Sequence, residues 1–166
     1  MFVTVFMAIL NTSTGELVYT NAGHNPTLVR QKNGNFFKLT DLHGPVIAAM
    51  ENIVYTETKL QLDRGDVIFA YTDGITEAHN PEGELFTEKR LIDLFSNNTC
   101  EPEQCVKTIV KIVQDFETGQ DPFDDITALC LHFIGSDRVA VYYAKITVKN
   151  QISDIQKAMY LLCRYY

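Results

Sequence analysis

Apolar and polar positions alternate along the first two-thirds of the chain, and clusters of turn residues cut the alternation into short runs. Phe2–Leu10 and Glu16–Asn21 flank Asn11-Thr-Ser-Thr-Gly15, while Pro26–Gln31 and Phe36–Leu39 flank Asn33-Gly34. Both pairs predict β-hairpins, the second through the favoured Asn-Gly turn. Ile53–Leu62, rich in β-branched and alternating residues, predicts another strand. Asp63-Arg-Gly-Asp66 then turns the chain into Val67–Thr72, a nearly all-apolar run that predicts a buried strand ending at Asp73-Gly74.

Helical spacing follows. Glu88–Asn97 sets Leu91, Leu94 and Phe95 on one side, and Pro102 opens a stretch carrying Val106, Ile109, Val110, Val113 and Phe116. Pro at the first helical position and Gly119 past the last are the expected start and stop. Ile126–Phe133 returns to strand after the loop Gln120-Asp-Pro-Phe-Asp-Asp125. Antiparallel strands, two helices and a returning strand predict an α+β fold. Further on, Gly135–Arg138 reads as a linker and Val139–Val148 as a strand. A helix is expected from Asn150 or Ser153, with Ser153 and Gln156 as a capping box. The apolar Tyr160-Leu-Leu-Cys163 inside that helix needs a surface to pack on, so the tail is expected to open a second domain.

A length of 166 residues suits one domain, or one domain and part of another, and 46% hydrophobic with 21% charged residues is enough to bury a core. Against 14 Lys and Arg stand 21 Asp and Glu, a formal charge of −7. That sign repels a phosphate backbone and argues against nucleic-acid binding, while acidic clusters suit divalent cations. Cys100, Cys105, Cys130 and Cys163 show no CxxC spacing and read as reduced thiols of a cytosolic protein. Met1–Leu10 lacks a basic flank and is too short to span a bilayer, so no membrane contact is expected from it.

Three places carry candidate chemistry. Asp73 ends a buried strand, where the scaffold is rigid and a carboxylate still reaches solvent or a metal; an Asp-Gly there is also an ordinary turn. Asp124-Asp125 precedes another strand and points a carboxylate from the same kind of sheet end, or is simply a solvated loop. Hard cations take oxygen ligands from separate segments, which makes these strand-end aspartates a partial site. In Asn21-Ala-Gly-His24-Asn-Pro26, Gly23 allows close backbone approach and His24 is a ligand or acid–base candidate, or a structural turn residue. His43, His79 and His132 make no ligand spacing with it.

Taken in order, Asn21-Ala-Gly-His-Asn-Pro26, Asp63-Arg-Gly-Asp66, Tyr71-Thr-Asp-Gly-Ile-Thr-Glu-Ala78, Asn80-Pro-Glu-Gly-Glu84 with Phe86, Arg90-Leu91 and Asp124-Asp-Ile-Thr127 resemble the SpoIIE-like branch of the metal-dependent PPM (protein phosphatase 2C) superfamily. The resemblance implies an antiparallel β-sandwich with flanking helices that holds two Mn2+ or Mg2+ ions. It also implies a metal-bridging water that attacks phosphoserine or phosphothreonine without a phosphoenzyme. Asp73 and Asp124 would be metal ligands, Asp125 the alternative ligand, and Gly23, His24, Asn25 and Gly74 would lie in loops near the ions. Anti-anti-sigma factor phosphoproteins of bacterial partner switching are the substrates it implies.

Two departures qualify the match. Motifs that supply the family's other metal aspartates, a Gly-Asp and an Asp-x-Ser-Gly-His-Gly, do not occur, so the chain is expected to be the C-terminal portion of a phosphatase domain, inactive alone. Leu42–Ala48 stands where the family carries Gly-x-Pro-Leu-Gly, with the second glycine lost. The expected division is residues 1–134 for the phosphatase portion, 135–138 for a linker, and 139–166 for an extension or second domain. That tail faintly resembles the start of an anti-sigma-type histidine-kinase-like ATPase domain. A truncated sandwich exposes apolar surface, so a homo-oligomer is expected. The alternative function is a non-catalytic signalling module derived from the same fold.

Overall fold

The computed structural model describes residues 2–97, 101–118, 124–135, 138–146 and 155–164, and from residue 138 onward the backbone alone. Nine strands and two helices occur among the described residues. The strands β1 (Phe2–Asn11), β2 (Glu16–Ala22), β3 (Thr27–Arg30), β4 (Phe36–Leu39), β5 (Thr58–Gln61) and β6 (Val67–Tyr71) come first. Helices α1 (Thr87–Asn97) and α2 (Pro102–Phe116) follow, then β7 (Ile126–Gly135), β8 (Arg138–Ile146) and β9 (Ile155–Arg164). One sheet runs β5-β2-β1-β9 and the other β4-β3-β6-β7-β8.

Strand parity explains the layering. On β6, Ile68 packs into a core shared with Phe6, Leu10, Leu17, Leu39 and Leu131, which lies between the two sheets. Its neighbours Val67, Phe69 and Tyr71 point the other way, onto Leu91 and Phe95 of α1 and Cys105, Val106, Ile109 and Val113 of α2. Alternate residues of a strand face opposite sides, so a strand covered on both faces must be apolar throughout, and all five residues of β6 are buried. The fold is thus an α+β sandwich of two sheets with both helices on the outer face of the five-stranded one.

The expected hairpins form. Met7 faces Thr20 across β1–β2, and Leu28 faces Lys38 across β3–β4. Asp63-Arg-Gly-Asp66 is a stitched turn: the buried Asp66 carboxylate accepts from the backbone N–H of Lys32 at 2.9 Å and of Asp63 at 3.0 Å. Asn80–Glu84 closes similarly, the Glu84 N–H donating to Asn80 Oδ1 at 2.7 Å. Arg90 then lies over the Phe116 ring, 4.8 Å from its centroid, and ties α1 to the end of α2. These motif residues hold the scaffold.

Three expectations need correction. The strand expected over Ile53–Leu62 starts only at Thr58, because the chain before it belongs to a loop that closes where Thr56 N–H donates to the His43 carbonyl at 3.1 Å. The strand expected over Val139–Val148 is β8, which starts one residue earlier at Arg138, is described to Ile146, and pairs with β7 from Ile126–Ile146 to Gly135–Arg138. The expected C-terminal helix is strand β9, paired in parallel with β1 from Phe2–Ile155 to Asn11–Arg164. Helix propensity is a weak local preference, and a ten-residue strand edge offering unpaired backbone groups outweighs it. Gly119, the loop 120–123 and Ser153 of the proposed capping box lie outside the described residues.

Candidate functional site

Two neighbouring strands bring the candidate aspartates together. β6 and β7 are antiparallel, with Tyr71 opposite Ala128, so the chain leaving β6 and the chain entering β7 meet at one end of the sheet. Thr72 fastens them: its N–H donates to the Thr127 carbonyl at 3.0 Å, and its Oγ1 accepts from Thr127 N–H at 2.9 Å. The same hydroxyl donates to the Asp125 carbonyl at 3.0 Å. The close contact continues at Gly74, where a Cβ would lie 2.5 Å from the Asp125 carbonyl oxygen and 3.3 Å from that of Asp124. Any side chain at position 74 would push the two segments apart, which gives the glycine a reason beyond turn geometry. Asp73, Asp124 and Asp125 are all half-buried, and the Asp124 carboxylate accepts from Asp125 N–H at 2.7 Å.

The loop before β3 reaches the same end. β3 pairs antiparallel with β6, Leu28 opposite Phe69, so His24–Pro26 enters the sheet where Asp73-Gly74 leaves it. Asn21 shapes this loop, accepting from His24 N–H through Oδ1 at 2.8 Å and donating through Nδ2 to the His24 carbonyl at 3.0 Å. His24 is buried, Asn25 is half-buried, and Gly23 takes φ 76° with Val46 packed against it.

Sequence reasoning missed His43. Its Nδ1 accepts from Asn21 N–H at 2.9 Å, which makes Nε2 the protonated nitrogen, and Nε2 meets Thr58 Oγ1 at 2.9 Å. Tyr19 stands edge-on to the ring and donates its own hydroxyl to Asp41 at 2.8 Å. Burial, that hydrogen bond and the Asp41 charge push the Tyr19 hydroxyl up to about 12, so it stays a donor. Spacing carried no signal for His43, since its partners lie 22 and 15 residues away. Tyr71 keeps its proton too: burial first, then the Glu88 carboxylate it donates to, raises it.

The donor chemistry fits a hard divalent cation in part. Carboxylate oxygens from two strand ends are the ligands that Mg2+ and Mn2+ prefer, and the backbone of Asp73-Gly74 lies against that of Asp124-Asp125 at one end of the sheet. The buried Asp66 is a useful contrast, because both its oxygens are engaged by backbone N–H groups. Among the described residues no three His, Cys, Asp or Glu side chains converge into a full ligand set.

The stage II sporulation protein E (SpoIIE) family model matches residues 1–134. Protein IcfG of Synechocystis sp. is 32% identical over 132 residues, covering 80% of this chain and 21% of IcfG. Phosphoserine phosphatase RsbU of Bacillus subtilis is 30% identical over 125 residues, covering 73% of this chain and 37% of RsbU. The chain therefore spans a fifth to somewhat over a third of the length of these relatives. Among solved structures, the SiaA-PP2C domain of Pseudomonas aeruginosa superposes with a TM-score of 0.57 at 19% identity, covering 71% of this chain and 46% of that one. That likeness gives the fold, a PP2C-type α+β sandwich. The extent of the family match, together with the two relatives, shows that the chain belongs to the SpoIIE family.

Proposed function

We propose that this chain is part of a PPM-type protein serine/threonine phosphatase of bacterial sigma-factor regulation, with Asp73 and Asp124 as metal ligands and Asp125 as the alternative ligand. The observation that supports the proposal is the Thr72–Thr127 fastening, with Gly74 against the Asp125 carbonyl, which joins the two aspartate-bearing segments at one sheet end. Family membership and the relative named as a phosphoserine phosphatase support the same reading. When bound, a pair of Mn2+ or Mg2+ ions supplies Lewis acidity toward water and toward the phosphoryl oxygens. The chain's own contribution is to hold carboxylates still through Thr72, and to set the backbone of Gly23–Asn25 beside them through Asn21. The remaining acidic ligands come from outside residues 1–166, so this chain alone turns over no phosphoprotein. A cytoplasmic location and an anti-anti-sigma phosphoprotein substrate belong to the same proposal; no helix among the described residues is long and apolar enough to cross a membrane.

Residues 1–134 form the phosphatase portion in this reading, and 139–166 an extension or the opening of another domain. Self-association is part of it too: β1 turns Val5, Met7 and Ile9 away from the inter-sheet core, and Met7 is 40% exposed. Light scattering reads this directly, and a monomer at high concentration contradicts it. The catalytic reading is tested by phosphate release from a phosphoserine protein with Mn2+, comparing this chain, the full-length gene product and its Asp73→Asn variant. Turnover is expected from the full-length protein only, falling at least about 100-fold in the variant, since even residues that merely orient metal ligands cost 10–100-fold. An active Asp73→Asn protein removes Asp73 from the mechanism. A full-length protein that binds phosphoproteins without turnover favours the non-catalytic module.

A further inference from the structure

Between His43 and Thr56 the chain leaves the sandwich and returns to its own starting point. Thr56 N–H donates to the His43 carbonyl at 3.1 Å, and Tyr55 packs where a Cβ on Gly44 would stand, 2.5 Å from its ring. The segment is an Ω-loop, whose ends meet and whose body stands out from the fold. Its base is fixed to the candidate site. His43 N–H donates to the Asn21 carbonyl at 2.9 Å, the His43 ring accepts from Asn21 N–H, and Asn21 shapes the His24 turn beside Asp73. Val46 packs on Gly23, and Ile47 bridges to Val3.

The loop's surface is apolar, against the ordinary rule for exposed connections. Val54 is 87% exposed and Met50 66%, Ile47 and Tyr55 are also open to solvent, and Leu42, just before the loop, is 70% exposed. A run of exposed large apolar side chains on one short segment marks an interaction site. The charge on it and beside it has one sign: Glu51 is exposed on the loop, Asp41 and Glu57 are exposed at its two flanks, and no Lys or Arg occurs between Lys38 and Lys59. Nothing else in the described residues combines exposed apolar side chains, a one-signed rim and a hydrogen-bonded link to the site.

We propose that the loop His43–Thr56 is the docking surface for the phosphoprotein acted on at the Asp73–Asp124 end of the sheet. The docked face of that partner is apolar and rimmed by Lys and Arg. This rests on the phosphatase reading, to which it adds the chemistry of the substrate's surface. Apolar contact supplies affinity, the acidic rim selects and orients a cationic partner, and the Asn21–His43 link sets the docked protein at a fixed distance from the carboxylates. A phosphatase whose metal site sees only a phosphorylated hydroxyl gains protein selectivity from such a remote contact.

Two fluorescein-labelled amphipathic peptides test it, each carrying one phosphoserine and the same Leu/Ile face, one with a Lys rim and one with a Glu rim. Binding to this chain is read by fluorescence anisotropy, without metal, for the natural sequence and for Met50→Ser/Val54→Ser. The Lys-rimmed peptide is expected to bind at least about tenfold more tightly than its Glu counterpart, and to weaken about tenfold or more in the double variant. Because the readout is binding, a failed docking surface shows here, while a failed phosphatase reading shows in phosphate release. Equal binding of the two peptides, or binding indifferent to Met50→Ser/Val54→Ser, overturns the proposal. So does a dimer that the double variant dissociates, since the loop would then be covered by a second copy. Both substituted side chains are exposed, so an unchanged thermal midpoint is expected and confirms that folding is intact.

Discussion

Ala48 is held at φ 68°, in the left-handed region where a Cβ crowds the backbone. It falls in the Leu42–Ala48 segment that stands where the family carries Gly-x-Pro-Leu-Gly, and its Cβ there is a local cost. Ala48→Gly is expected to raise stability by about 1 kcal/mol, read as a higher midpoint in urea at unchanged slope; no change, or a fall, means the loop relaxes around the alanine. Single residues also show what sequence conveys about chemistry. Asp66 and Asp73 both flank β6 inside recognisable motifs, and only structure separates them, since Asp66 spends both oxygens on backbone N–H groups. Thr72 looks like the end of an apolar run, yet its hydroxyl replaces a ladder acceptor and carries the join to Asp125. The side-chain role of a short hydroxyl residue depends on a partner 53 residues away, and no local pattern encodes that.

At the scale of elements, periodicity was informative wherever an element has one well-defined environment. β6 read as buried because both its faces are covered, and α2 read as a helix because its apolar stripe from Val106 to Val113 packs on one sheet. Ile155–Arg164 is the counterexample: Gln, Lys, Ala, Met and Leu favour a helix locally, while the chain pairs with the edge of β1. A sheet edge is a non-local partner, invisible to propensity. Among the described residues β9 has only β1 beside it, and parallel pairing is slightly weaker per residue than antiparallel. Its amides are therefore expected to exchange with solvent roughly 100-fold or more faster than those of β6, which lies between β3 and β7. Hydrogen exchange followed by mass spectrometry of the two segments checks this, and equal protection would place β9 in the stable core.

The whole molecule has an uneven cover. Both helices pack on the five-stranded sheet, and among the described residues no helix covers the outer side of the four-stranded one. The sandwich, the helix order and the sheet end bearing the aspartates were legible from motif order and hydrophobic period. The Ω-loop was not, because its apolar residues imitate a strand at Ile53–Leu62, and neither was the His43–Asn21 link that ties it to the site. The central claim is that Asp73 and Asp124 share a metal environment at one sheet end. The measurement that meets it most directly is a Mn2+ titration followed by electron paramagnetic resonance, on this chain and on Asp73→Asn and Asp124→Asn. Two carboxylates make a weak site, so binding is expected only at roughly millimolar Mn2+, at the weak end of protein sites for hard cations. Either substitution is expected to abolish it, with the fold retained because both side chains are half-buried at loop positions. Mn2+ binding that survives both substitutions, or is lost in only one of them, contradicts the account.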